Sequence, residues 1–408
     1  MKLNDIAEFV TDKISSSGIS LDRYVTTDSL LQNRRGRETA QNLPPMPCAL
    51  THYRRGDVLV ANIRPYLKKV WYADSEGGCS SDVLAFRVKN GHCPSFLYTV
   101  LMQDAFFDYA MSGAKGSKMP RGDKDQIMRY ELPIFTPLEE ENIGNMMVDI
   151  MSKINVNRQI NDNLEAMAKL LYDYWFVQFD FPNEEGKPYK SSGGAMVWNE
   201  KLKREIPEEW SDCVLGDYIG RITNGLNPRK NFVLGSGNNY YVTIRSLVGT
   251  TIDWNNCDRC DDEALSKINS RSQLQIGDII FSAIGTIGRT YYILEEPTNW
   301  NISETSFTLR AKENVPNDFF YEMLRSNEIQ IKADKAAMGS TLRCLVMDSL
   351  CTLQYIEIPS YMMKLFAAKV SPLYRQIYRN NKEIAELTKQ RDELLPLLMN
   401  GQASVNSD

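Results

Sequence analysis

The stretch Gly56-Asp57-Val58-Leu59-Val60 returns in the second half of the chain as Gly277-Asp278-Ile279-Ile280-Phe281. Each copy is a Gly-Asp turn feeding a short β-branched apolar run, the pattern of a buried strand. Outward from this pair the agreement continues in order. Ser112-Gly113 with Lys115-Gly116-Ser117 matches Met338-Gly339-Ser340-Thr341, and Glu131-Leu132-Pro133-Ile134 matches Glu357-Ile358-Pro359-Ser360. Both halves run strand, mixed segment, small helix, Gly-Ser loop, short strand ending at proline, long helix. A fixed order of features written twice predicts two similar structural units.

The long helices carry the sharpest repeat. Apolar residues fall at Ile143, Met147, Ile150, Ile154, Leu164, Leu171 and Trp175 in the first, and at Phe366, Val370, Leu373, Ile377, Ile384, Leu387, Leu394 and Leu398 in the second. Spacings that alternate three and four predict a coiled-coil seam. Superimposing the heptads places Asn157 on Asn380, each on the seam near the middle of its helix. In an antiparallel pair the two asparagines are expected to approach each other and fix the register at some cost in stability. Helices of about 35 residues reach roughly 50 Å, longer than a small globular domain needs.

The 408 residues imply two to four domains, and 43% apolar with 24% charged residues is a globular composition. No apolar run approaches the ~18–20 residues needed to cross a bilayer, and Met1-Lys2-Leu3-Asn4-Asp5 does not read as a signal peptide. Eight cysteines in a chain of this length fit reduced thiols, so a cytoplasmic protein is expected. A net charge of −5 argues against coating nucleic acid through bulk electrostatics. It leaves room for local readers, because Arg34-Arg35-Gly36-Arg37, Arg54-Arg55, Arg64 with Lys68-Lys69, and Lys115 to Lys124 crowd the first third.

Catalytic signatures are missing. An amino-methyltransferase shows Asn/Asp-Pro-Pro-aromatic, whereas the nearest string is Leu43-Pro44-Pro45-Met46; Gly113 to Lys118 has the wrong spacing for a P-loop. Asp180, Glu185 and Lys187 sit in a Pro-Gly stretch without flanking strands, a poor frame for metal-dependent cleavage. Cys257 and Cys260 form one thiol pair without a second, and His52 and His92 are the only histidines. The expectation is a protein with no catalytic site, cofactor or metal.

In this order of motifs the chain resembles the specificity subunits of type I restriction–modification systems, the HsdS family. The resemblance rests on Gly56-Asp57-Val58-Leu59 leading to Ile63-Arg64-Pro65-Tyr66, and on Gly277-Asp278-Ile279-Ile280 leading to Gly285-Thr286-Ile287-Gly288-Arg289. It rests also on Leu171-Tyr172-Asp173-Tyr174-Trp175-Phe176, on Ile206-Pro207 with Trp210, and on Arg391-Asp392-Glu393-Leu394-Leu395-Pro396-Leu397-Leu398. It implies an α+β protein with two mixed α/β target recognition domains, separated by two long helices packed as an antiparallel coiled coil with a pseudo-two-fold repeat. The implied partners are double-stranded DNA with a bipartite site, two methyltransferase subunits and a restriction motor-nuclease subunit. The expected segments are a first recognition domain over 1–138, a spacer helix over 139–179 and a linker over 180–212. A second recognition domain over 213–361, a second spacer helix over 362–400 and a tail over 401–408 complete them. One departure is that the first half begins at Leu3-Asn4-Asp5-Ile6 without an Ile-Pro-x-x-Trp opening, which leaves its first strand open.

Candidate DNA contacts in the first half are Arg34, Arg35, Arg37, Asn62, Arg64, Tyr66, Lys68, Lys115 and Lys118. In the second half they are Asn224, Asn227, Arg229, Lys230, Arg245, Thr286, Arg289, Ser340, Thr341 and Arg343. Arginine forks guanine edges, asparagine suits adenine, and lysines in a Gly-Ser loop suit phosphates. The plainer alternatives are a solvated loop at 34–37, a flexible turn at 113–118 and a turn-bracing salt bridge at Arg289. A different class of function is a protein–protein adaptor that offers helical grooves to partners without reading DNA, which the acidic balance suits.

Overall fold

The computed structural model describes residues 1–405; the last three residues of the expected tail, 406–408, lie outside the described residues. The chain divides into two compact units, one of Met1–Gln159 with the chain from Lys382 onward, the other of Ile160–Asn381.

The first unit is built on an antiparallel sheet of β1 (Ala7–Phe9), β2 (Val58–Ala61), β3 (Val70–Tyr72) and β4 (Val83–Val88), in the order β1-β4-β2-β3. The second unit repeats it with β5 (Ile219–Asn224), β6 (Ile279–Ser282), β7 (Thr290–Tyr292) and β8 (Ser306–Ala311), in the order β5-β8-β6-β7. β2 and β6 are the two apolar runs after the Gly-Asp turns, and both are buried along their length.

The Gly-Asp pair has a physical reason in each copy. Gly56 and Gly277 stand at φ +91° and +95°, which a side chain resists. The aspartate that follows is buried and accepts a two-pronged fork. Arg87 donates to Asp57 from Nε (2.9 Å) and Nη2 (2.7 Å); Arg310 donates to Asp278 at 2.7 and 2.8 Å. The same carboxylates accept the Arg54 and Gln275 amides, which close the turns. A matching ring pair lies above each sheet: Tyr72 on Tyr98 at 5.4 Å and Tyr292 on Tyr321 at 5.1 Å.

Beside each frame lies a smaller sheet. A parallel pair is common to both, Tyr24–Val25 with Gly77–Cys79 and Asn239–Val242 with Trp300–Ile302, but the other strands differ between the halves. The missing Ile-Pro-x-x-Trp opening does not alter the first frame, because β1 pairs β4 as β5 pairs β8. Met1 and Leu132 exchange backbone hydrogen bonds where the second unit pairs Ser211–Val214 with Gln354–Glu357.

The helices α1 (Pro137–Tyr172) and α2 (Ser360–Met399) each contribute a segment to both units, and within each unit the two segments run antiparallel. Within the first unit Asn142 reaches Val405, Met151 meets Arg391, and Lys153 pairs with Glu383 at 3.0 Å. Within the second, Asn161 meets Asn380 while Tyr172 and Trp175 pack on Phe366. Falling partner numbers along a rising chain define the direction. The buried seam of α1 runs through Ile143, Met147, Met151, Ile154, Asn157, Asn161, Ala168 and Tyr172. Ile150 and Leu171, expected on it, are half-buried at its flank.

The seam asparagines do not pair with each other as the superimposed heptads suggested. Asn157 donates to Glu383 Oε2 at 2.7 Å. Asn380 donates to Asn161 Oδ1 at 2.8 Å, Asn161 donates to Asn381 Oδ1 at 2.8 Å, and Gln376 donates to Asn380. The stagger of the antiparallel helices sets Asn380 opposite the seam position one turn after Asn157. The stretch 180–212, rich in turn formers, holds a hairpin of Met196–Asn199 with Arg204–Pro207. Its Phe181 stacks on Trp210 at 4.9 Å inside the second unit's core, so aromatic burial orders a polar segment.

Asn161→Leu alone leaves the Asn380 and Asn381 amides short of a partner and is expected to cost about 1–3 kcal/mol. Asn161→Leu with Asn380→Leu removes the part of that penalty that comes from buried Asn380. Chemical denaturation of the single and double variants checks this; a double variant no more stable than the single one would contradict the pairing.

Candidate nucleic-acid interface

Three loops of the first unit are laced together by backbone hydrogen bonds. The turn after β2 holds Asn62, Arg64, Tyr66 and Lys68; Arg64 N donates to Pro120 O at 2.8 Å, joining it to the hairpin closed by Lys115 and Arg121. Asn33 and Arg34 donate to Leu67 and Lys68 carbonyls at 2.9 Å, adding the loop that carries Arg34, Arg35 and Arg37. All nine first-half candidates therefore fall on one loop cluster.

They are not equivalent. Arg34 is only 7% exposed, and its guanidinium is committed to the Met102 carbonyl and to Asp104, so in this fold it braces the loop. Lys68 ties to the same Asp104 at 2.7 Å. Burial works against the charge on Asp104, but the Lys68 ammonium and Arg34 guanidinium beside it hold its carboxyl below the usual range. Arg37 lies 4.4 Å above the Trp71 ring and donates to the Asp22 carbonyl. Lys115 pairs with Asp123 at 3.1 Å. Arg35, Tyr66 and Lys118 are exposed, and Asn62 and Arg64 are half-buried.

The second unit laces the equivalent loops in the same way. Gly285 N donates to Arg343 O at 2.8 Å, and Met338 and Cys344 close the hairpin that corresponds to 115–121. Ser340 and Thr341 are exposed at its tip, whereas Arg343 is held by Asp334 at 2.8 Å. Thr286 is exposed; Arg289 donates to the Ile244 carbonyl, beside exposed Arg245. Asn227 donates to Glu304 at 2.8 Å and caps the turn bearing exposed Arg229 and Lys230. Asn224 accepts from Arg271 at 2.6 Å and donates to Glu304 O. Neighbouring Thr305 O takes the Ala283 and Ile284 amides, so this group joins the same cluster.

Several neighbours were missed by sequence reading. Arg121 closes the first hairpin and pairs with Asp82 at 3.1 Å; Arg259 lies 3.8 Å above the Tyr240 ring. Met119 and Leu342 stand at the same place in the two hairpins, 50% and 64% exposed. Their equal offset from Gly116 and Gly339 was the signal that could have found them. Among the described residues no group of three His, Cys, Asp or Glu converges as a metal site, and no helix is long and apolar enough to cross a membrane.

The duplicated frame, the matched loop clusters and the antiparallel helix segments define a class of protein made of two like units, each carrying one laced loop cluster. No protein-family model matches the sequence. The MjaIX type I restriction enzyme specificity subunit of Methanocaldococcus jannaschii is 25% identical over 378 residues, covering 91% of this chain and 83% of that protein. The HindI specificity subunit of Haemophilus influenzae is 21% identical over 456 residues, covering 98% of both. The crystal structure of the type I restriction–modification S subunit from M. genitalium has the same fold, with a TM-score of 0.59 at 14% identity over 98% of this chain and 95% of that one. Over nearly its whole length the chain is similar to the specificity subunits of type I restriction–modification systems.

Arg34→Ala is expected to lower the stability of the first unit by about 2 kcal/mol, because Met102 O and Asp104 lose a buried donor. Lys118→Ala, on an exposed tip, is expected to leave it unchanged. Calorimetry on both variants separates a bracing arginine from a surface lysine; equal effects would contradict the distinction.

Proposed function

We propose that each unit turns its laced loops toward a DNA duplex and reads one part of a bipartite target, while the long helices carry methyltransferase subunits. The subunit is non-catalytic: it selects the sequence, and partners perform the chemistry. The observation that carries this reading is the duplicated lacing. The turn after β2 and the turn after β6 are each bonded to a hairpin whose tip is exposed, by the same 2.8 Å amide-to-carbonyl bond. Two units that share a frame and differ in their smaller sheets suit two different half-sites. The exposed cations Arg35 and Lys118 in the first unit, and Arg229, Lys230 and Arg245 in the second, supply phosphate contacts despite the acidic total.

Sequencing modified bases in the host genome with and without this gene tests the reading. A two-part motif that disappears on deletion is expected, and an unchanged methylome contradicts it. Lys115→Ala with Lys118→Ala is expected to weaken all sequences about equally and to reduce the salt slope of binding by about 2. Loss of sequence preference instead would move these lysines from phosphates to bases.

Partner docking has its own support. On α1 and the turn that follows, within the second unit, Ile160, Met167, Leu170, Tyr174 and Val177 are exposed at helical spacing beside the buried seam. A second apolar stripe on a helix already packed on one side is the mark of a further helical partner. Met167→Glu with Leu170→Glu is expected to reduce co-purification of the methyltransferase subunit at least tenfold without lowering the thermal midpoint. Full recovery of the complex would place docking elsewhere.

A further inference from the structure

The turn after β2 and the turn after β6 begin alike, each with a left-handed residue three positions past its strand and a second two positions before the next strand, although the first turn is one residue longer and holds a 3-10 turn at Pro65–Leu67. In the second unit these are Gly285 and Gly288, at φ +81° and +86°. In the first unit they are Arg64 and Lys68, at φ +53° and +51°. The equivalence of Arg64 and Gly285 is fixed by hydrogen bonding: Arg64 N donates to Pro120 O and Gly285 N to Arg343 O, both at 2.8 Å, and the residue before each bridges its hairpin.

Holding a long side chain in the left-handed region costs free energy that glycine does not spend, and such strain gathers at working positions. Lys68 has a structural reason for it, because its ammonium meets Asp104 at 2.7 Å. Arg64 has none of that kind. Among the described residues its side chain makes no ion pair and no hydrogen bond. Its Nε is buried without a partner, and so is Oδ1 of Asn62 two residues before it. A planar fork with unfilled donors is thus held next to the exposed 115–121 hairpin, at a place where the other unit has no side chain at all.

We infer that Arg64 is a base-reading residue, specific to the first unit, whose guanidinium forks the edge of a guanine in the half-site that this unit reads. The assignment rests on the DNA-reading function proposed above and narrows it to one residue and one base. Arginine matches guanine O6 and N7 with two parallel donors, a fit that a phosphate contact does not require. It also makes the two units unequal at the shared start of this turn: the second unit, with Gly285, must draw its base contacts from other residues.

The test uses the full chain, co-expressed with its host methyltransferase subunits, as wild type, Arg64→Gly and Arg64→Lys, with methylated motifs sequenced genome-wide. Arg64→Gly restores the residue type of the second unit, so its thermal midpoint is expected to equal or exceed that of the wild type. The motif is expected to become degenerate at one G·C position of one half-site, with discrimination there falling about five- to a hundredfold and the other half-site intact. Arg64→Lys keeps the charge and is expected to lose most of that discrimination too. An unaltered motif, a weakening spread over all positions that Arg64→Lys rescues, or a lowered midpoint in Arg64→Gly would each overturn the assignment. If the wild-type chain directs no two-part motif, the DNA-reading function itself fails, whatever the variants do.

Discussion

Ile143, Met147 and Met151 share a core with Leu395, Leu398 and Met399, so the first unit is closed only when the last helix of the chain lies against it. The second unit is bound likewise: Ala168, Tyr172 and Trp175 of the first long helix lie in one core with Phe366, Val370, Tyr374 and Ile377. Each unit is thus completed by a helix segment remote in sequence. Antiparallel pairing of α1 and α2 is the constraint that permits this, because one helix ends where the other begins. A break in the seam would open both cores. The asparagines along it are paired across the helices, which turns buried polar groups from a penalty into a register mark.

On that base stand two copies of a small device, a left-handed glycine followed by a buried aspartate gripping an arginine from the neighbouring strand. Asp57 with Arg87 and Asp278 with Arg310 fix where β2 and β6 begin, and so where the turns at their far ends project. The frame leaves the turns and hairpins free to differ in sequence while the bond that laces each turn to its hairpin is kept. This division of labour suits a reader, since base choice changes through exposed side chains without disturbing the core.

Most of the architecture was legible in the chain because it rests on repetition and period. The Gly-Asp turns, the apolar runs after them and the alternating heptads are local patterns with direct structural meaning. What escaped depended on tertiary placement. Asn157 and Asn380 superimpose perfectly by heptad, yet partner choice follows stagger, which a single helix does not record. Ile150 and Leu171 looked like seam residues by chemistry, but their neighbours Met151 and Tyr172 hold those places. Phe179, Phe181 and Trp210 turn a Pro-Gly stretch into core, because three large rings outweigh the turn formers around them. At the candidate interface, cation clusters were visible but their employment was not. Arg34 and Arg35 are neighbours in sequence; one is sealed against Asp104 and the other faces solvent. Strain at Arg64 likewise has no signature short of the fold that imposes it.

The central claim is that two equivalent loop clusters address two different parts of one DNA target. Site-specific photocrosslinking from Lys118 and from Thr341, in the chain assembled with the methyltransferase subunits proposed as its partners on cognate DNA, measures this most directly. Crosslinks from position 118 confined to one half-site and from position 341 confined to the other are the predicted result. Crosslinks from both positions to a single half-site, or none above the level on random DNA, would contradict the account.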